Sequence, residues 1–248
     1  MTALSWPPAA DPSAELADPS AALRRAKADY AANGRVLIRD FLSDEDADGL
    51  GAIVKAPLPW NLRYRAEGST RALPESQLVA FDDAQRSTFW MRVLTEARTE
   101  FQFAYFDCSL APGSLAGFEP SHGIHQVART IFSPAFLEPL KAVVGDPEVR
   151  GLTASFTRYD SGHFLLPHDD TDSTDDRRAA YVLNLSEDWW PDWGGLLQFI
   201  DNGRNVAETF LPHNGSLALF KVPQAHAVSY VAPHAQRSRY AITGWLVA

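Results

Sequence analysis

Four polar residues in the last third of the chain are of the types that could do chemistry together: His168, Asp170, His226 and Arg239. His168 and Asp170 are two apart, so on a strand their side chains share a face and Asp169 takes the other. His226 has to be delivered by a later strand. Two imidazoles and one carboxylate make the set that grips Fe(II) from one side and leaves positions open. Neutral imidazoles and one carboxylate leave a ferrous centre with a net charge of about +1, which favours an anionic co-substrate. Asp169 is the alternative ligand if the segment is a turn. Arg239 opens the run Arg239-Tyr-Ala-Ile-Thr-Gly-Trp245, which reads as a central buried strand. Arginine is seldom buried without a partner, and a carboxylate can meet its planar fork with two charge-assisted bonds. A dicarboxylate chelating the metal at its other end satisfies both sites. Arg237, in a polar stretch, reads as a solvated neighbour.

The elements that must hold these residues change character along the chain. Residues 1–17 are rich in Ala, Pro and Asp and read as an irregular leader. Asp18-Pro19 opens a helix, an N-cap followed by proline in the first turn. Leu23, Ala26 and Tyr30 continue it until Asn33-Gly34. Val36-Leu37-Ile38 reads as a short strand. Ser43 caps a second helix, with Asp46 three residues on as in a capping box. Phe89, Trp90, Val93, Leu94 and Ala97 mark a third, and Ser133-Pro134 opens a fourth that ends at Gly145-Asp-Pro. From about residue 149, eight short apolar or alternating runs are separated by turn residues: 150–158, 163–169, 179–185, 196–200, 206–211, 216–221, 226–231 and 239–247. Asn202-Gly203 and Asn214-Gly215 are the strongest turn signals between them. This rhythm predicts a sandwich, barrel or jelly roll and not alternating βαβ units. No Ser/Gly/Pro linker separates the halves, so residues 18–248 read as a single domain, with a helical part (18–148) packed on one sheet of a core over about 149–248.

Composition narrows the function classes. The chain has 248 residues, 46% of them hydrophobic and 21% charged, as in a soluble globular protein. Its 22 Lys and Arg against 31 Asp and Glu give a net charge of −9, a poor basis for binding nucleic acid or anionic membrane. The single cysteine, Cys108, fits a small buried hydrophobe in a reducing cytoplasm. No apolar stretch approaches the roughly 20 residues that span a bilayer, and the N-terminus lacks a signal-peptide pattern.

The stretch Tyr159-Asp-Ser-Gly162-His-Phe-Leu-Leu-Pro-His168-Asp-Asp170 resembles the iron-binding segment of the 2-oxoglutarate- and Fe(II)-dependent oxygenases, prolyl 4-hydroxylase-like branch. Tyr181-Val-Leu-Asn-Leu-Ser, Trp193-Gly-Gly-Leu, Asn214-Gly-Ser-Leu-Ala-Leu-Phe220, His226-Ala-Val-Ser-Tyr-Val and Arg239-Tyr-Ala-Ile-Thr-Gly-Trp245 follow in the family's order, over about residues 150–248. The opening Gly34-Arg-Val-Leu-Ile-Arg-Asp-Phe-Leu-Ser43 also looks like the entry to this catalytic domain. The resemblance implies a mainly β (α+β) fold, a double-stranded β-helix or jelly roll with N-terminal helices on one sheet. It implies His168, Asp170 and His226 as catalytic iron ligands and Arg239 as partner of the distal carboxylate of 2-oxoglutarate. Tyr159 matches a tyrosine that reaches that carboxylate in relatives. Tyr181 does not inherit a second tyrosine's role, because it stands one step early and a single step reverses the face. The gap from His226 to Arg239 is longer than in the oxygen sensors of this family, a difference a longer turn at Pro233-His234 absorbs.

The implied activity is hydroxylation of an unactivated C–H bond, plausibly prolyl, with decarboxylation of 2-oxoglutarate to succinate and CO2. Fe(II) and 2-oxoglutarate are the expected cofactors, ascorbate a further candidate. Expected partners are O2 and a peptide or small-molecule substrate; homo-oligomer formation stays open. The same chemistry on a free amino acid or metabolite, a Zn or Mn hydrolase or isomerase, and a non-catalytic metal-binding roll are the alternatives. His163, His213 and His234 read as solvated or local hydrogen-bonders, and His122 and His125 as a surface loop or a substrate mouth. Trp189, Trp190 and Trp193 are core and rim material that could cover the site. Asp172, Asp175 and Asp176 read with Arg177 and Arg178 as a solvated loop or lid.

Overall fold

The computed structural model describes residues 19–172 and 175–248; the expected leader and the Asp18 cap lie outside them. Its helices are α1 (Pro19–Asn33), α2 (Asp44–Val54), α3 (Glu75–Val79), α4 (Asp83–Glu96), α5 (Gly123–Ile131) and α6 (Pro134–Val144). Local signals account for their ends. The Ser43 hydroxyl accepts from Asp46 N–H at 3.2 Å, satisfying one orphan donor of α2. Asp82 and Gln85 form a reciprocal capping box on α4. Gly145 ends α6 at φ +70°, the left-handed position that suits glycine. No described helix is long and apolar enough to cross a membrane.

The strands are β1 (Arg35–Ile38), β2 (Asn61–Ala66), β3 (Ser69–Pro74), β4 (Phe103–Ser109), β5 (Gly151–Leu152), β6 (Ser155–Tyr159) and β7 (Phe164–His168). They continue with β8 (Arg177–Asn184), β9 (Leu197–Ile200), β10 (Val206–Phe210), β11 (Leu217–Lys221), β12 (His226–Val228) and β13 (Arg239–Val247). All pairings are antiparallel. One sheet runs β1-β11-β8-β13-β6, and the other β7-β12-β9-β10. Strand β4 pairs with β6 (Asp107 opposite Thr157) and with β7 (Phe103 opposite Leu165), joining the two sheets on one side. The result is the jelly roll that the strand rhythm and the resemblance predict.

Alternation along the strands divides the interior in two. On β8, Ala179, Tyr181 and Leu183 face a core shared with α1, α2, α5 and α6, while Ala180 and Val182 face the inside of the roll. On β13, Ile242 and Leu246 join the helical core and Ala241 the roll. The helices therefore pack on the outer face of the β11-β8-β13-β6 sheet, as expected. The N-terminal part departs from expectation by supplying further strands. The β2–β3 hairpin extends the sheet beyond β4, so residues 61–74 and 103–109 add β structure to the part read as mainly helical, beyond the expected strand at Val36–Ile38.

Candidate functional site

Strand β7 ends at His168, and β12 begins at His226; the two residues are register partners. Their rings lie 4.2 Å apart, centroid to centroid. His168 Nε2 is 3.2 Å from Asp170 Oδ1, and His226 Nε2 is 3.5 Å from Asp170 Oδ2. One donor atom from each of the three residues lies within 4.8 Å of the other two, a spacing one metal ion could bridge. The reason His168 and Asp170 converge is not strand alternation, which corrects the sequence argument. Asp170 lies beyond β7 at φ +64°, a left-handed conformation seldom adopted by residues other than glycine, asparagine and aspartate. Asp169 is exposed; its Oδ1 accepts from Thr171 N–H at 3.0 Å, and it is not part of the cluster.

The imidazoles are oriented from behind. His168 Nδ1 is 3.0 Å from the Leu166 carbonyl and His226 Nδ1 is 2.8 Å from the Gln224 carbonyl. A carbonyl can only accept, so in both rings Nδ1 is the nitrogen that carries hydrogen, and Nε2 turns its lone pair to the centre. Burial, and then the neighbouring His168, push His226 down to about 4, although Asp170 works the other way. Burial alone would raise the Asp170 carboxyl. The two imidazoles beside it outweigh burial and hold Asp170 below the usual carboxylate range. The Trp245 indole N–H makes no hydrogen bond of ordinary geometry, yet it lies near enough to Asp170 to favour the ionised form.

A cavity of about 80 Å³ leads from this cluster into the roll, lined by Tyr105, Thr157, Tyr159, Val182, Thr243 and Arg239 among others. That is roughly five to eight water-sized positions, enough for a small acid and too little for a peptide. Arg239 is 3% exposed. Its Nε and Nη1 are buried without a hydrogen-bond partner, and no carboxylate among the described residues pairs with it. Burial pushes its pKa down. Its guanidinium sits 5.3 Å over the ring of Tyr159, its register partner on β6, and Tyr159 stacks on Tyr105 at 5.1 Å and 16°. Burial pushes Tyr105 up to about 12 and Tyr159 well above its ordinary value, so both phenols stay protonated donors. Behind the guanidinium, Gly195 adopts φ +63°; a Cβ there would press on Trp189 and Val231 at 3.2 Å.

The remaining candidates fall outside this group. Of the two readings offered for His163, the local hydrogen-bonder holds and the solvated residue does not. His163 is 2% exposed, its Nδ1 accepts from Asp160 N–H at 3.1 Å, and Phe106 and Trp90 flank the ring. His122 caps α5 through Nδ1, and His125 contacts the Phe118 carbonyl. His213 meets Arg39 and His234 faces Asp192 at the surface. Trp189 and Trp193 are buried behind Tyr159, whereas Trp190 is 62% exposed. Tyr181 donates to the Thr153 carbonyl at 2.7 Å on the helical side, in line with withholding a ligand role. Arg237 is half-exposed and reaches Asp188. Cys108 is buried in the apolar core, with its thiol pushed up to about 11. Tyr105 was missed by the sequence argument; the alternation in Phe103-Ala-Tyr-Phe-Asp-Cys-Ser109 is the signal that could have found it.

Residues 154–247 match the family model of the 2OG-Fe(II) oxygenase superfamily. A mouse protein, prolyl 3-hydroxylase OGFOD1, is 32% identical over 98 residues. That match covers 37% of this chain, which spans only 17% of the relative's length. Among solved structures, a prolyl-4-hydroxylase from Pseudomonas putida superposes with a TM-score of 0.56 at 19% identity, covering 91% of this chain and 98% of that one. A prolyl hydroxylase from Trichoplax adhaerens, in complex with a hypoxia inducible factor oxygen degradation domain peptide fragment, gives 0.55 at 16% identity, with 92% and 91% covered. At these identities the structural likenesses speak for the shared jelly roll.

Proposed function

We propose that this chain, whose residues 154–247 match the 2OG-Fe(II) oxygenase superfamily model, is a 2-oxoglutarate-dependent hydroxylase with His168, Asp170 and His226 as its iron ligands. One observation carries the reading: a buried guanidinium with no counter-charge among the described residues shares a small cavity with the three converging donors. Burying a charge unpaired is costly, so the pocket is suited to an anion supplied from outside. Iron bound there, with 2-oxoglutarate, supplies the oxidising chemistry, releasing succinate and CO2. The protein's own part is aim and dryness. Arg239 holds the distal carboxylate in a bidentate grip, and Tyr159, protonated beside it, donates to the same group. The Leu166 and Gln224 carbonyls keep both imidazoles aimed at the centre. Phe220, Leu197 and Val228 keep the wall apolar and exclude water.

A prolyl residue is the substrate class we favour, because prolyl hydroxylation is the activity named for the mouse relative and for both structural neighbours. Ascorbate belongs to the proposal only as an accessory. The test is anaerobic Fe(II) titration followed by succinate formation with prolyl peptides and free proline. His168→Ala should abolish tight Fe(II) binding and turnover, while His234→Ala, altered at an exposed site, should retain both. Equal Fe(II) affinity in the unaltered chain and His168→Ala would remove the metal assignment.

A further inference from the structure

Arg177 opens β8 just after the segment that carries Asp170, and its side chain is only 16% exposed. Its contacts are unusual for a loop-edge arginine. The guanidinium carbon lies 3.8 Å from the centroid of Trp245, on the wall of the cavity. Nη1 donates to the Asp170 carbonyl at 3.3 Å, and Nη2 donates to the Asp172 carboxylate at 2.9 Å. Asp175 lies 3.5 Å from the same nitrogen. Asp170 occupies a left-handed conformation, which persists only where the surroundings over-determine it. Arg177 grips the backbone on the carbonyl side of that residue. It also lies over the ring of Trp245, whose indole N–H is near enough to Asp170 to favour its ionised form.

We infer that Arg177 is a positioning residue for Asp170: it fixes the backbone and the Trp245 wall so that the carboxylate stays directed at the two imidazoles. The inference rests on the metal reading above and adds a residue that touches neither metal nor co-substrate. A planar guanidinium can stack on an aromatic face and donate along two edges at once, which an ammonium cannot. The sign of the effect separates positioning from plain charge. Removing a cation near a metal site should tighten binding of a divalent ion if only the field matters. Loss of positioning should weaken it, by the roughly 10–100-fold typical of residues that orient metal ligands.

The experiment is Co(II) titration of the full chain, read by calorimetry and by the visible absorption band, with Trp emission recorded before metal is added. Arg177→Met and Arg177→Lys should both bind Co(II) about 10–100-fold more weakly with an altered band, and their metal-free Trp emission should shift as Trp245 loses its cover. Thermal melts verify that each variant is folded; if Arg177→Met is not, Arg177→Lys, which keeps the charge, decides. Lysine binding Co(II) as tightly as arginine, or a lower melting temperature with unchanged affinity in the folded variants, overturns the inference. A Co(II) affinity that is equally weak in the unaltered chain and in His168→Ala overturns the metal reading itself, and this inference with it.

Discussion

Arg239→Met separates the two consequences of an unpaired buried guanidinium. The side chain is 3% exposed, and two of its nitrogens have no partner. Methionine keeps much of the aliphatic stem and removes the charge, so the protein without co-substrate should become more stable, by about 1–3 kcal/mol, as when buried ionic groups are replaced by apolar ones. For a chain of this size that raises the melting temperature by roughly 2–4 °C per kcal/mol. Co-substrate stabilisation should move the opposite way. With a redox-stable metal and 2-oxoglutarate at about 100 times its Kd, the unaltered chain should gain about 2.7 kcal/mol. Losing two charge-assisted bonds, each worth roughly 1.5–3 kcal/mol, weakens the ligand about 150-fold or more and abolishes that gain at the same concentration. Differential scanning with and without 2-oxoglutarate reads both effects. A variant that keeps the ligand-dependent shift would place the anion's partner elsewhere. One that melts well below the unaltered chain without ligand would make Arg239 a structural residue with a protein partner.

Burial pushes His163 from 6.5 down to about 4, so the unfolded chain binds a proton that the folded chain resists. Its contribution to stability is therefore complete above about pH 6.5 and is lost as pH falls toward 4, by roughly 3 kcal/mol over that window. Urea midpoints should fall across it, and a folded His163→Gln variant should show a shallower decline; equal slopes would refute the assignment. In β13, a Cβ on Gly244 would sit 1.8 Å from the Thr153 carbonyl oxygen, a backbone atom already engaged by Tyr181. Gly244→Ala should cost about 3 kcal/mol or more and disturb Trp245, the next residue; a urea midpoint within error of the unaltered protein would show that the backbone at Thr153 can yield.

What the sequence makes legible follows from how strongly local physics acts at each place. The strands after residue 149 are short, apolar and bounded by turn pairs such as Asn214-Gly215, so most limits are nearly as read, although the run 150–158 is split into β5 and β6 and the run 226–231 is strand only over β12. Ser43 and Gly145 mark helix ends because their side-chain and backbone preferences act within one turn. In the β2–β3 hairpin, β2 does carry an alternating apolar face, Leu62, Tyr64 and Ala66 against Arg63 and Arg65, a strand signal the sequence argument passes over, whereas β3 is largely exposed and offers none. In α5, Ile124, Val127, Ala128 and Ile131 carry plain helical spacing, but His122 and His125 draw attention as chemistry although they serve local structure. Asp170 was chosen over Asp169 on a strand argument that the backbone does not support. What selects it is a left-handed turn, which residue types alone do not encode.

Strand β4 bears on how far the chain can be shortened. Along one edge it is hydrogen-bonded to β7 near its start and to β6 near its end, with β2 taking the other edge, and it brings Tyr105 to the cavity wall. A fragment trimmed to residues 154–247 would split along that line, baring two adhesive borders and flooding the space beside Tyr159 with solvent. The stretch that matches the superfamily thus depends on a plank delivered some fifty residues upstream, and selection acting on the early region bears on the chemistry as directly as selection on the histidines.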